Sequence, residues 1–284
     1  MLSKIVMWLF TVKVSLCNCY SDHRVNDFKK GRATYKIAKI GQMPPQIKET
    51  SGLARANVNK ATFWTHNDGD NPAELFEVTL SGEIVSNLPL PQLKNTDWED
   101  LTQDNEGNLY IADVGNNRNE RRDLKIYKLN PAQPQKADTI ALRYADQAAF
   151  PPVPNARNFD CEAVVWHGGQ LHLFSKNRSK INHFVRLYSL PAQAGTYVVA
   201  PKDSIKINTM VTGAAVSPDE RTLALITYGK VLLFDVSTGL NFRNPTYCLK
   251  TGRGQTEAIV FLNNQDFLFS NERKGELYLV EKTK

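Results

Sequence analysis

Short apolar runs, joined in pairs across glycine and polar turns, recur along most of the chain. The stretch Asn158 to Phe174, NFDCEAVVWHGGQLHLF, shows the unit openly: Asp160 and Glu162, the apolar run Ala163 to Trp166, a His-Gly-Gly turn, and a second run Leu171 to Phe174. Runs of this length across a short glycine turn predict two antiparallel strands. The unit returns as SGLARANVNKATFWTHND from Ser51, EDLTQDNEGNLYIADVGN from Glu99, TGAAVSPDERTLALITYG from Thr212 and EAIVFLNNQDFLFSNERK from Glu257. Its anchors at 51, 99, 162, 212 and 257 are 48, 63, 50 and 45 residues apart, which is near the period of propeller blades.

A third strand follows in each copy, at Glu74–Thr79, Leu124–Leu129, Val185–Leu190, Lys230–Val236 and Glu276–Glu281. Outside the first residues no window keeps apolar positions at helical spacing, while Ser81-Gly82, Glu106-Gly107 and Gly168-Gly169 punctuate the chain as turns. The fold class is therefore all-β, a β-propeller of five visible blades. Six blades is the alternative, with a degenerate one in the 63-residue spacing that holds the Pro-rich insert Phe150 to Pro154. The last copy has chain for only three strands. Arg32 to Ile40, RATYKIAKI, alternates like an edge strand and is expected to supply the fourth, closing the ring of a single domain over residues 32–284.

The first residues, MLSKIVMWLFTVKVSLCNCY, place Lys4 before an apolar run that Lys13 interrupts. The run is too short to span a bilayer and reads as an export signal or lipoprotein leader over 1–19, with Cys17 or Cys19 as the lipid-bearing residue of an imperfect lipobox. Residues 20–31 are polar and read as a flexible linker. Of the four cysteines, Cys161 and Cys248 remain outside the leader; the repeat puts them on an inner and an outer strand, so no disulfide between them is expected. The expected location is exported: periplasm, outer membrane or outside the cell.

The formal charge is +6, from 35 basic and 29 acidic residues spread along the chain, and Arg118 to Arg122 is a solvated turn rather than a phosphate track, so nucleic acid is not an expected partner. No CxxC or Cys/His pair has zinc spacing, and His66, His167, His172 and His183 form neither an HExxH motif nor the partner of a GxSxG elbow. Trp64, Trp98 and Trp166 are read as packing between blades.

A propeller brings the entrance of each first strand and the end of each second strand to one mouth of its channel. At the entrances stand Ser51, Glu99, Glu162, Thr212 and Glu257, preceded two residues earlier by Glu49, Asp97, Asp160, Met210 and Gln255. The second strands end at Asn67, Asp113, Lys176, Tyr228 and Asn271, with Asp68 and Glu272 beside two of them. Such an oxygen-rich ring without His or Cys suits a hard cation, and calcium tolerates its irregularity. The candidate ligands are Glu99, Glu162, Glu257, Asn67, Asp113 and Asn271. The alternative is a water-filled mouth in which the carboxylates bond loop N–H groups, hold protons or pair with Lys176. In NDGDN, Asn67 to Asn71, no Glu follows at the EF-hand position, so a self-capping turn is expected.

The segments THNDGDNPAELFEVTLSGEI, DWEDLTQDNEGNLYIADVGNNRNERRDLKIYKL, and FDCEAVVW with FSKNR resemble a largely uncharacterised family of secreted bacterial β-propellers. More remotely they are similar to the esterase-like phytase and gluconolactonase/regucalcin type propellers. The latter resemblance implies one divalent cation at the mouth, held by Glu99 or Glu162 with Asn67, Asp113 and Asn271; Lys176 and Tyr228 depart from that pattern. Two functions follow. One is a propeller whose mouth binds a cation and presents a face to a small molecule, glycan or envelope protein. The other is a calcium-dependent hydrolase of an ester, lactone or phosphoester, with Glu162, Glu257 and Lys176 as catalytic candidates.

Overall fold

The computed structural model describes residues 19–57, 59–179, 181–252, 254–272 and 274–283. Most of the expected leader, with Cys17, lies outside them. The described chain starts with helix α1 (Tyr20–Asn26), followed by strands β1 (Lys29–Lys30) and β2 (Tyr35–Gln42). Blade 1 is then β3 (Thr50–Asn57), β4 (Thr62–Asn67), β5 (Glu74–Val78) and β6 (Ile84–Pro89). Blade 2 is β7 (Trp98–Gln103), β8 (Leu109–Asp113), β9 (Lys125–Leu129) and β10 (Ala137–Tyr144).

Blade 3 contains β11 (Cys161–His167), β12 (Gln170–Ser175) and β13 (Phe184–Pro191), after which β14 (Gly195–Val199) leaves to pair in parallel with β10 of blade 2. Its fourth strand is β15 (Asp203–Lys206). Blade 4 is β16 (Val211–Val216), β17 (Thr222–Thr227), β18 (Lys230–Asp235) and β19 (Pro245–Lys250), and blade 5 is β20 (Thr256–Phe261), β21 (Phe267–Asn271) and β22 (Glu276–Lys282). The fourth strand of blade 5 is β2, antiparallel to β22 from Tyr35↔Lys282 to Gln42↔Glu276. The ring thus closes with five blades. The 63-residue spacing holds the loop between β10 and β11, with no sixth sheet.

Alternation along the strands gives each sheet two apolar faces, and the core is accordingly five clusters, one between each pair of adjacent blades. Trp98, fully buried, fills the cluster between blades 1 and 2, with Trp64 packed against it, and Trp166 packs between blades 2 and 3. In the channel Asp100, also fully buried, accepts backbone N–H bonds from Leu101 (2.8 Å), Val164 (2.8 Å) and Ala214 (3.3 Å). One carboxylate therefore ties the inner strands of blades 2, 3 and 4, whose channel-side N–H groups have no further strand to pair with.

Residues 20–31 are not a flexible linker. They form α1, β1 and a short 3-10 turn, Gly31–Ala33, and β1 adds a parallel strand to β19 of blade 4. Cys19 is disulfide-bonded to Cys248 with 5.7 Å between Cα atoms, while Cys161 is free and buried among the described residues. Assigning Cys19 to the leader hid this pairing from the sequence: Cys248 lacks a partner only when Cys19 is counted as removed or lipidated.

Candidate functional site

Every inner strand carries a β-bulge at the same height. Pairing skips between Ser51 and Leu53, Trp98 and Asp100, Cys161 and Ala163, Val211 and Gly213, and Thr256 and Ile259. The residues inside the skips include Gly52, Glu99, Glu162, Thr212 and Glu257. A bulge residue is excused from the ladder and its side chain is re-aimed, which is how three buried glutamates come to point into the mouth rather than into the inter-blade cores. Gly52 belongs there because its φ is +72° and a Cβ would stand 2.5 Å from Leu101 N.

The mouth is a recess of about 240 Å³ lined by Ser51, Asp68, Glu99, Asn117, Glu162, Lys176, Arg178, Tyr228, Gln255, Glu257 and Glu272. Its two sides differ. On blade 3, Lys176 Nζ is bonded to Glu162 and donates to Tyr228 OH at 3.1 Å, while Arg178 is bonded to Asp160 and Asn117 and donates to the second Glu162 oxygen at 3.2 Å. Burial pushes the Glu162 carboxyl up to about 7 against the pull of Lys176 and Arg178, and the same carboxylates hold Lys176 well above its ordinary range. The ion pair with Glu162 favours the ammonium form of Lys176 over a nucleophilic amine.

On blades 1 and 2, Asp68, Asp97 and Glu99 bring carboxylate oxygens within 4.8 Å of one another, and Glu99 also belongs to a second such group with Asp160 and Glu162. Glu99 is 5% exposed, and its carboxyl accepts no hydrogen bond among the described residues. The neighbouring charges that press on it are Glu162, Asp68, Asp160 and Asp97, all acidic, and burial and these charges raise its carboxyl well above the usual range. Burial likewise lifts Asp68 to about 6 and Asp97 to about 7. Gly115 makes room for them, since a Cβ there would lie 2.3 Å from Glu99 Oε1 and 2.4 Å from Asp97 Cγ.

On blade 5, Glu257 is hydrogen-bonded to the Glu272 carboxyl, and Gln255 Nε2 donates to Glu272 at 2.7 Å. Burial raises Glu257 well above the carboxylate range, with the Glu162 and Glu272 charges acting the same way against Lys176.

The sequence-predicted ligands separate into two sets. Glu99, Glu162 and Glu257 meet at the mouth; Asn67, Asp113 and Asn271 are spent elsewhere. Asn67 Oδ1 accepts from Lys48 N (2.9 Å) and Glu49 N (3.3 Å), and its amide donates to Gln46 O. Asp113 pairs with Arg121 at 2.9 Å and accepts from Asp97 N at 3.1 Å, and Asn271 Oδ1 accepts from Lys274 N at 3.2 Å. The bulges explain the discrepancy. They put the first strand one residue out of step with the second, and a one-residue shift moves a side chain to the other face: His66, not Asn67, lies opposite Ser51 as Asp113 lies opposite Trp98.

Asp68 and Asp97 appear in the sequence only as neighbours of the ring, and Arg178 and Asn117 are missed. Arg178 follows Lys176 by two positions, a spacing that keeps both on one side of an extended segment. In NDGDN the expected self-capping turn is present: Asp68 Oδ1 accepts from Gly69 N (2.5 Å) and Asn71 donates to Asp68 O (3.0 Å).

No family model matches the chain, and no curated protein matches it. Solved structures do. A gluconolactonase from Xanthomonas campestris aligns at 12% identity with a TM-score of 0.49, covering 88% of this chain and 90% of that one. The PQQ-bound aldose sugar dehydrogenase of Streptomyces coelicolor aligns at 7% identity with a TM-score of 0.51, covering 88% and 99%. The WD40 repeats of RRP9 align at 8% identity with a TM-score of 0.45, covering 89% and 98%. The chain is thus remotely similar to gluconolactonase-like and other β-propellers, and at these identities what is shared is the fold.

Proposed function

We propose that this is an exported propeller whose mouth holds one divalent cation, calcium by its chemistry, and receives a small polyhydroxylated molecule such as the end of a glycan. The observation that carries the reading is Glu99: a buried carboxylate, unpartnered among the described residues and surrounded by acids. Burying such a charge without a partner is costly, and a cation removes the cost. The donors Asp68, Asp97 and Glu99 are all oxygens, as calcium prefers. Bound there, the cation would supply positive charge for ligand hydroxyl or carbonyl oxygens.

The protein's own groups do the rest. Apart from the Tyr228 ring the recess is lined by polar side chains, so it offers hydrogen bonds to a hydroxylated ligand and no wall to an aliphatic one. The Lys176 and Arg178 ion pairs fix Glu162 in place. This favours binding over hydrolysis, because Glu162 is committed to Lys176 and Arg178 and Glu257 to its hydrogen bond with Glu272, leaving neither as a ready base for water. Export is supported by the Cys19–Cys248 disulfide, which persists in oxidising compartments.

Calcium titration of protein stripped of metal tests this, followed by thermal melting and calorimetry. The parent should bind one calcium and gain about 2.7 kcal/mol at a hundredfold excess over the dissociation constant. Glu99→Gln should lose that gain while staying folded. A parent indifferent to calcium, magnesium and manganese would overturn the proposal.

A further inference from the structure

Outside the mouth lining, residues 19–31 lie against blades 3 and 4, held by contacts of four different kinds. Asp22 and Lys230, 2% and 1% exposed, form an ion pair at 2.5 Å, and neither makes another ion pair among the described residues. Phe28 is fully buried in the cluster between blades 3 and 4, edge-on to Phe234 at 5.1 Å. Asn26 Nδ2 donates to Lys206 O of blade 3 at 2.8 Å. The fourth contact is covalent: Cys19 to Cys248, the residue that β1 pairs with through Lys30. A seven-residue helix and a two-residue strand cannot hold themselves in water, so the segment depends on these attachments.

We propose that the Cys19–Cys248 cystine is the lock of this strap and is the modification that Cys19 carries in the native protein, in place of a lipid. The two modifications exclude one another, since lipidation joins the same sulfur in a thioether. The lock closes when the Cys19 and Cys248 thiols give up two protons and two electrons to the disulfide of a thiol oxidoreductase, which leaves as a dithiol. Cys161 does not compete. It is fully buried, and burial pushes its thiol up to about 12, which keeps it from the thiolate form that exchanges. Reduction frees the strap, uncovering the Phe28 site and leaving Lys230 without its partner.

The test exports the full chain with its own leader and digests it without reductant. A Cys19–Cys248 linked peptide pair with no acyl mass on Cys19 is expected. Hydrogen exchange of the intact protein then reads the lock: amides of residues 19–31 should exchange about tenfold faster or more after reduction, with calcium-dependent melting retained. Cys19→Ser should match the reduced parent and ignore reductant, whereas Asp22→Asn, with the lock intact, should loosen the strap less. If Cys19→Ser does not fold, the parent with and without reductant still decides. A diacylglyceryl group on Cys19, Cys19 and Cys248 both recovered as free thiols after export, or an equally protected strap after reduction would overturn the proposal, and none of these results depends on the mouth holding a cation.

Discussion

The two sides of the mouth are built from the same residue types and end in opposite electrostatic states. On blade 3, Asp160 and Glu162 are neutralised by Lys176 and Arg178 from the segment that follows β12. On blades 1 and 2, Asp68, Asp97 and Glu99 crowd together, and the segments after β4 and β8 bring no such cation into the recess; Arg121 turns instead to Asp113, Asp123 and the Gly115 carbonyl. A carboxylate cluster is thus not in itself a cation site. One side carries its counter-ions on its own chain, and the other groups carboxylates that could hold a cation.

Removing a built-in counter-ion should have the largest effect. Lys176→Met leaves Glu162 buried with one cation fewer, and breaking a buried pair this way costs about 3–5 kcal/mol. Urea unfolding without metal should show that loss, with calcium restoring part of it; an unchanged midpoint would mean the ion pair is dispensable.

Crowding the blade 1 and 2 side comes next. Gly115→Ala puts a methyl group against Glu99 and Asp97, and overpacking of this kind costs about 1–3 kcal/mol. Calcium binding by calorimetry should disappear, and if the variant binds as the parent does, the cation lies elsewhere.

The unneutralised side should also set the pH response. Asp68 and Asp97 have folded-state values near 6 and 7, above those of an unfolded chain, so the folded state binds more protons in the window between. Their contribution to stability is therefore present at acid pH and lost as pH rises through 6 and 7. Metal-free protein should melt a few degrees lower at pH 8 than at pH 5.5, calcium should flatten the slope, and Asp97→Asn should reduce it. A melting temperature that rises across this window without metal would contradict the assignment.

The smallest effect separates a cap from a ligand. Asn67→Ala removes bonds to Lys48 N, Glu49 N and Gln46 O and should cost about 1–2 kcal/mol, leaving calcium affinity untouched. A calorimetric loss of affinity would return Asn67 to the site.

The fold was legible because a propeller writes itself into sequence as a repeat. The runs at Ala163–Trp166 and Leu171–Phe174 repeat often enough to count, and the missing fourth strand of blade 5 points to the N-terminal segment, observed as β2. The site was legible only where it coincides with the repeat. Glu99, Glu162 and Glu257 share one position and were found together; Asp97 and Asp68 were aligned with Asp160 and Glu272 but read only as neighbours of the ring, and Arg178 comes from an individual loop with no counterpart to align with. Asn67 was misplaced because a bulge is invisible to hydrophobic patterning, which counts residues and not ladder bonds. The Cys19–Cys248 cystine was missed because a leader pattern and a cystine half overlap at one residue, and the strap's contacts with Lys230 and Phe234 are too distant in sequence to leave a local signal.

The bulge repeated in every blade separates what the molecule is from what it holds. Since the bulge residue is outside the ladder, its identity can change while strand pairing and the inter-blade cores stay as they are. Where glutamate stands, at 99, 162 and 257, the position faces the recess; at 212 the same place holds a threonine whose hydroxyl bonds Thr256 O at 2.6 Å, and at 52 a glycine pressed against the next blade. Of the five bulge positions, three thus face the recess and two are held against a neighbouring blade. Exchanging Glu99 should leave the frame unaltered, whereas exchanging Glu162 would leave Lys176 and Arg178 without their shared carboxylate.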